Sequence, residues 1–126
     1  MSRVRRSHFH NKKRWIYALV FDSERAVYIG QSTDPKRRLS QHRSTSGGWL
    51  RPCRMVILEE FEGTYAQAEA REYVWRWIAH IMWWRVYVLP PNVVVRLGRR
   101  MSLWRRIQAW YTLLTAGWPV RREKRG

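Results

Sequence analysis

Two apolar runs separated by a short polar break set the first expectation. Trp15-Ile16-Tyr17-Ala18-Leu19-Val20-Phe21 is dense in β-branched and aromatic residues, Asp22-Ser23-Glu24-Arg25 is polar, and Ala26-Val27-Tyr28-Ile29-Gly30 resumes the pattern. This predicts a β-hairpin. With a four-residue loop, Phe21 faces Ala26, Leu19 faces Tyr28 and Tyr17 faces Gly30, so Tyr17, Tyr28 and Gly30 share one sheet face. A glycine opposite a tyrosine weakens a strand unless something must come close to the backbone, which marks Gly30 as part of a site.

Asp34-Pro35 supplies an N-cap and a first helical position, predicting a short helix over 36–43 with Arg38 and His42 on one face. Residues 44–48 read as a loop, and residues 54–60 as a third strand. Thr64-Tyr65-Ala66-Gln67 is a capping-box start for the longest helix, running to about Met82, with Glu69 and Glu72 in its first half. Pro90-Pro91 interrupts the chain, and residues 93–97 read as an extra strand or an extended connection. Residues 102–116 form an amphipathic pattern, with Leu103, Ile107, Trp110, Tyr111 and Leu114 on one side and Arg105 and Arg106 off it, stopped by Gly117 and Pro119. The expected fold is α+β: a small three-stranded antiparallel sheet flanked by helices, with an extra C-terminal helix. A chain of 126 residues suits one core.

Charge adds a partner to this picture. The chain holds 25 Lys plus Arg against nine Asp plus Glu, a net charge of +16, and all but Lys12, Lys13, Lys36 and Lys124 of the cations are Arg. Such an excess points to a polyanion, and Arg favours bidentate contact with phosphate. The 45% hydrophobic content and nine Trp exclude a disordered basic tail. Residues 1–14 carry six cations and no acid, 15–84 carry nine against eight, and 85–126 carry ten against one. The expected organisation is a basic N-terminal arm over 1–14, a site-bearing core over 15–84, and a basic extension over 85–126 whose helix packs on the same domain. Lys12, Lys13, Arg14, Lys36, Arg37, Arg43, Arg51, Arg105 and Arg106 are the expected phosphate contacts, Gly30 is a further expected nucleic-acid contact, and interleaved Trp suits base stacking. The single Cys53 excludes an internal disulfide and fits a reducing compartment, though it fits a metal-free secreted protein nearly as well; the cytoplasm is the expected setting. No apolar run approaches the ~18 residues of a transmembrane helix, so no membrane partner is expected. His8, His10, His80 and Cys53 lack the spacing of a structural zinc site.

Trp15-Ile16-Tyr17, ten intervening residues and Tyr28-Ile29-Gly30 together resemble the paired tripeptides of the GIY-YIG nuclease family. Arg38 and the following His42 are similar to that family's arginine-bearing helix, and Leu58-Glu59-Glu60 before a helix with Ala68, Glu72 and Trp75 is similar to its third strand and glutamate-bearing helix. The resemblance covers residues 15–80. Trp15 stands where the family usually has glycine, and Tyr87 is followed by Val88 where the family often has a Tyr-Asn pair, leaving that contact missing or displaced to Asn92. The resemblance implies a metal-dependent endonuclease that hydrolyses phosphodiester bonds in DNA, using Mg²⁺ or Mn²⁺. It gives Glu72 as the metal ligand, Arg38 as the phosphate contact, Tyr17 as the group that helps activate water, and Tyr28 and His42 as its assistants. Two rivals stand beside these roles: Glu69 as the ligand in place of Glu72, and an intrahelical pair of Glu72 with Arg76. A non-catalytic nucleic-acid-binding module on the same scaffold, or a small structural RNA-binding protein, would bind without strand scission.

Overall fold

A computed structural model describes residues 11–43, 52–88, 93–94 and 102–121. The hairpin is there: β1 (Lys12–Phe21) and β2 (Ala26–Ser32) pair antiparallel across a 3₁₀ turn at Asp22–Glu24, with Phe21 opposite Ala26, Leu19 opposite Tyr28 and Tyr17 opposite Gly30. Arg25 closes the turn in the left-handed region at φ 48°. The helix α1 (Pro35–Arg43) starts where Asp34 Oδ1 accepts the Arg37 N–H at 3.2 Å. The strand β3 (Arg54–Gly63) lies antiparallel on the other side of β1, with a register shift between Ile16 and Tyr17 that sets Glu59 opposite Ile16 and Ile57 opposite Tyr17. The helix α2 (Tyr65–Ile81) opens on the expected capping box of Thr64 and Gln67. The expected loop over 44–48 lies outside the described residues.

The sheet departs from the expected three antiparallel strands. After α2 the chain turns at Trp83, where φ is 66°, and returns as β4 (Arg85–Val88), which runs parallel to β2. A two-residue β5 (Val93–Val94) then pairs antiparallel with β4, which accounts for the described part of the stretch read as an extra strand over 93–97. The order is β3-β1-β2-β4-β5, a mixed sheet of four strands plus this short fifth. The start of β4 is fixed by distant partners: Arg25 Nε donates to the Trp83 carbonyl at 2.9 Å, and Arg85 N–H donates to the Arg25 carbonyl at 3.0 Å. Four residues starting with an arginine carry too little periodicity to announce a strand by themselves.

Both faces of β1 and β2 are covered, which explains their near-continuous apolar runs. On one face Ile16, Ala18, Val20, Val27 and Ile29 pack against Val74, Trp75, Ile78 and Ala79 of α2. On the other, Tyr17, Leu19, Phe21, Ala26, Tyr28 and Tyr87 form a second cluster with Leu39 and Met55 beside it. Trp15 is accommodated in β1 opposite Ser32 and Glu60, so the tryptophan leaves the register of Tyr17 intact. The strand begins at Lys12, and Arg14 is buried with its Nε donating to the Gly63 carbonyl at 2.8 Å. The boundary drawn at residues 14 and 15 therefore falls inside the first strand.

The last helix, α3 (Leu103–Ala116), keeps its expected Gly117 stop, at φ 75°, and starts at Ser102. Its orientation reverses the amphipathic expectation. Leu103, Ile107, Trp110, Tyr111 and Leu114 are 50–82% exposed, whereas Ala109 and Thr112 are buried. The inward side is held by Ala109 and Leu113 in the core, by Trp110 against Trp77, and by polar bonds: Arg71 Nη2 donates to Thr112 Oγ1 at 2.9 Å and to Glu59 Oε1 at 2.6 Å, and Trp75 Nε1 donates to the same Glu59 oxygen at 3.2 Å. Among the described residues no helix is long and apolar enough to cross a membrane.

Glu59 thus joins β3 to α2, and through Arg71 to α3. Glu59→Ala leaves a half-buried guanidinium and the Trp75 N–H without their acceptor, and should cost about 2–3 kcal/mol, the worth of hydrogen bonds to a charged group. Urea denaturation reads this directly; a loss under about 0.5 kcal/mol would show that the node holds nothing together.

Candidate active site

Tyr17 is fully buried in the middle of β1, and the hydroxyl end of its ring passes close over Gly30. A Cβ at position 30 would stand 2.5 Å from the Tyr17 hydroxyl oxygen and 2.7 Å from Cζ. What approaches the Gly30 backbone is therefore the tyrosine itself. Gly30, expected as a nucleic-acid contact, is buried beneath that ring and serves instead to let it lie down.

From α1, His42 covers the same tyrosine. Its Nε2 is 2.6 Å from the Tyr17 hydroxyl oxygen, and its ring meets Tyr17 and Tyr28 with centroids 5.7 and 5.4 Å apart. His42 is 4% exposed, and burial together with the charge of Arg38 lowers its pKa to about 4. The imidazole is neutral at pH 7, so one ring nitrogen is an acceptor. Burial and the neighbouring Tyr28 raise the Tyr17 phenol above the ordinary tyrosine range, against the opposing pull of Arg38 beside the hydroxyl. The phenol keeps its proton, and it shares one hydrogen bond with His42 Nε2 whose direction is set by the His42 tautomer. Burial raises Tyr28 in the same way, with Glu72 adding to it.

Glu72 comes from α2. Burial pushes its carboxyl up to about 7 against the pull of Arg76, and Glu69 adds to the rise. Its pair with Arg76 is loose, 3.7 Å from Nη2 to Oε2, so the expected intrahelical pair and the expected functional carboxylate coexist. Glu69 lines the same space.

These side chains surround an open cleft of about 720 Å³. Tyr17, Tyr28, Arg38 and Glu72 line it, as do Lys12, Arg14 and Arg37 of the expected phosphate contacts; His42 sits behind Tyr17. The remaining expected contacts lie elsewhere. Lys13 is paired with Glu60 at 2.7 Å, Arg43 donates to the Cys53 carbonyl at 2.6 Å, and Lys36 and Arg106 are exposed outside the lining. Arg105 reaches the rim by stacking its guanidinium 4.9 Å from the Tyr73 ring centre. Arg51 and Asn92 are outside the described residues. Tyr87 is buried on the site face and donates to Glu24 Oε1 at 2.6 Å.

Sequence reasoning missed Gln31, Tyr73 and Arg76 in the lining. The signal for two of them was present: residues 65, 69, 72, 73 and 76 recur at three- and four-residue spacing and form the stripe of α2 opposite the buried Val74, Trp75 and Ile78. Three buried N–H groups of this wall, Arg38 Nε, Arg76 Nε and Gln31 Nε2, have no acceptor among the described residues. Each such orphan costs about 1–3 kcal/mol in a closed protein. Donors kept at that cost along one cleft suit an anionic ligand.

A family model for the GIY-YIG catalytic domain matches residues 5–78. The chain belongs to the GIY-YIG family. No curated protein and no solved structure matches it. GIY-YIG domains are nuclease domains that cleave nucleic acid, and the matched segment carries β1, β2, α1, β3 and most of α2, which supply Tyr17, Tyr28, Arg38, His42 and Glu72. Among the described residues no group of three or more His, Cys, Asp or Glu converges as a metal cluster.

Two predictions follow from this GIY-YIG site. Gly30→Ala forces the Tyr17 ring off its bed, and because that ring is buried and bonded to His42 it has nowhere to swing; the variant should lose about 1–3 kcal/mol in a denaturation experiment. Unchanged stability would mean the ring lifts freely.

The second concerns pH. His42 is depressed from 6.5 to about 4, so its contribution to stability is complete above pH 6.5 and is lost as the pH falls toward 4. Glu72 is raised from 4.5 to about 7, so its contribution is complete below pH 4.5 and is lost as the pH rises through 7. In chelator, the stability difference between the native chain and His42→Gln should therefore grow from pH 4.5 to 6.5, and the difference between the native chain and Glu72→Gln should shrink over the same range. Parallel curves for all three proteins would remove both shifts.

Proposed function

We propose that this GIY-YIG chain is a divalent-metal-dependent endonuclease that hydrolyses phosphodiester bonds in DNA. The observation that carries the reading is the convergence of the Tyr17–His42 pair, Arg38 and Glu72 on one cationic cleft. A buried carboxylate raised by its surroundings, with a second carboxylate of Glu69 adding to the rise, is a place where a hydrated cation relieves the electrostatics. The carboxylate oxygens of Glu72 and Glu69 on one wall suit Mg²⁺ or Mn²⁺, which keep several waters and take one or two carboxylates plus substrate oxygens. Such an ion, when bound, neutralises phosphate charge and makes water more acidic.

The chain's own residues divide the remaining work. Glu72 would hold the cation. Arg38 contacts the reacting phosphate and stabilises the charge that develops on it. Water attacks the phosphorus as the bond to the leaving oxygen breaks; the Tyr17 oxygen accepts the water's proton as its own passes to neutral His42 Nε2 over the 2.6 Å contact, and the leaving oxygen takes a proton from solvent. Tyr28 holds the other side of the His42 ring. Lys12, Arg14 and Arg37 draw the backbone of the DNA into the cleft.

Incubation of labelled single-stranded, duplex and forked DNA with Mg²⁺ or Mn²⁺, and with chelator, tests the reading. Glu72→Gln should abolish metal-dependent cleavage while DNA binding survives; cleavage that persists there and disappears in Glu69→Gln would move the ligand role to Glu69. Arg38→Ala should lower cleavage far more than binding, by about 3 kcal/mol of barrier on the scale of a lost oxyanion donor. Tyr17→Phe should cost ~10² in rate with the fold retained. Binding with no metal-dependent scission of any substrate would reduce the chain to a binding module.

A further inference from the structure

The proposed reaction uses one of the three orphaned donors in the cleft, Arg38, and leaves Arg76 and Gln31 without a task. They stand on different elements, Arg76 on α2 and Gln31 at the end of β2, and both line the same cleft with a buried N–H and no acceptor among the described residues. Arg76 is also one side of a stack. Its guanidinium lies 5.2 Å from the centre of the Tyr73 ring, and the guanidinium of Arg105 from α3 lies 4.9 Å from the same centre. Two guanidiniums thus lie against one aromatic ring, and the loose 3.7 Å pair of Arg76 with Glu72 leaves room for an anion beside them to add compensation.

We propose that Arg76 and Gln31 form a second phosphate subsite, for the phosphate next to the one that reacts, and that Tyr73 and Arg105 carry the same backbone from the cleft onto α3. The inference rests on the reading of the cleft as a nucleic-acid site. It deepens that reading by making the ligand a polynucleotide strand that extends past the scissile bond toward α3, held through its phosphates and not its bases. Arg106, one residue further along α3, is exposed and, unlike Arg105, does not stack on Tyr73, so it is no part of the path.

The test is the salt dependence of DNA binding by the full chain in chelator, read by fluorescence anisotropy on single-stranded and duplex oligonucleotides. Arg76→Gln and Arg105→Gln should each weaken binding severalfold and reduce the slope of log K against log salt by about 0.9 on duplex, the value of one phosphate contact. Arg106→Gln makes the same change of charge on the same helix and should leave the slope at its native value. Because Arg76 is half-buried beside Glu72, thermal unfolding accompanies each variant, and Arg105→Gln carries the test if Arg76→Gln does not fold. Equal effects of Arg105→Gln and Arg106→Gln, native slopes in both subsite variants, or no measurable binding by the native chain would each overturn the proposal. Metal-dependent cleavage is scored on the same DNA: slope losses without any cleavage remove the nuclease reading and keep the subsite, whereas cleavage with native slopes does the reverse.

Discussion

The contact on which the rest of the structure depends is the Tyr17 ring lying over Gly30 and bonded at its hydroxyl to His42. It fixes three things together. It requires the hairpin register that puts residue 17 opposite residue 30, because a one-residue slip would carry the tyrosine to the other face. It requires glycine beneath the ring. It also requires α1 to pack on this face of the sheet, since His42 must reach the hydroxyl from a helix that is otherwise polar and mostly exposed. The opposite face, where α2 packs on the odd positions of β2 and the even positions of β1, supplies most of the apolar burial that keeps the hairpin in that register.

The electrostatics of the site run against the chain as a whole. In a protein of net charge +16, the group nearest the tyrosine is a neutral imidazole, and the phenol keeps its proton. Burial produces both states, and Arg38 reinforces the first and opposes the second. The result is a pair poised to pass a proton without either partner carrying charge at rest. Around it stands a ring of cations from β1, α1 and α2, with Glu72 and Glu69 on one wall. In the proposed reaction the neutral centre serves the chemistry and the charged rim the capture of substrate.

Much of this was legible in the sequence where the cause was local. The alternation and the four-residue polar break gave the hairpin its register; Asp34-Pro35 and Thr64-x-x-Gln67 gave two helix starts through their capping chemistry. The paired tripeptides, Arg38, His42 and Glu72 pointed to one family, and the chain belongs to it. What escaped was decided by contacts between distant segments. The strand at Arg85–Val88 exists because Arg25 and β2 receive it. The orientation of α3 is set by contacts with α2, where Ala109 and Leu113 join the core, Trp110 meets Trp77 and Thr112 accepts from Arg71, and it leaves Trp104, Tyr111 and Leu114 outside. Gly30 was singled out for a sound reason, a close approach to its backbone, but the approaching group is Tyr17.

The central claim is that neutral His42 accepts the Tyr17 proton through Nε2. Long-range ¹⁵N–¹H correlation of the histidine rings in the metal-free protein measures it directly, with Tyr17→Phe to assign the signal. The account predicts that at pH 7 His42 is uncharged with its proton on Nδ1 and a bare Nε2, and that it stays so until the pH approaches 4. An imidazolium at pH 7, or a neutral ring protonated on Nε2, would contradict it.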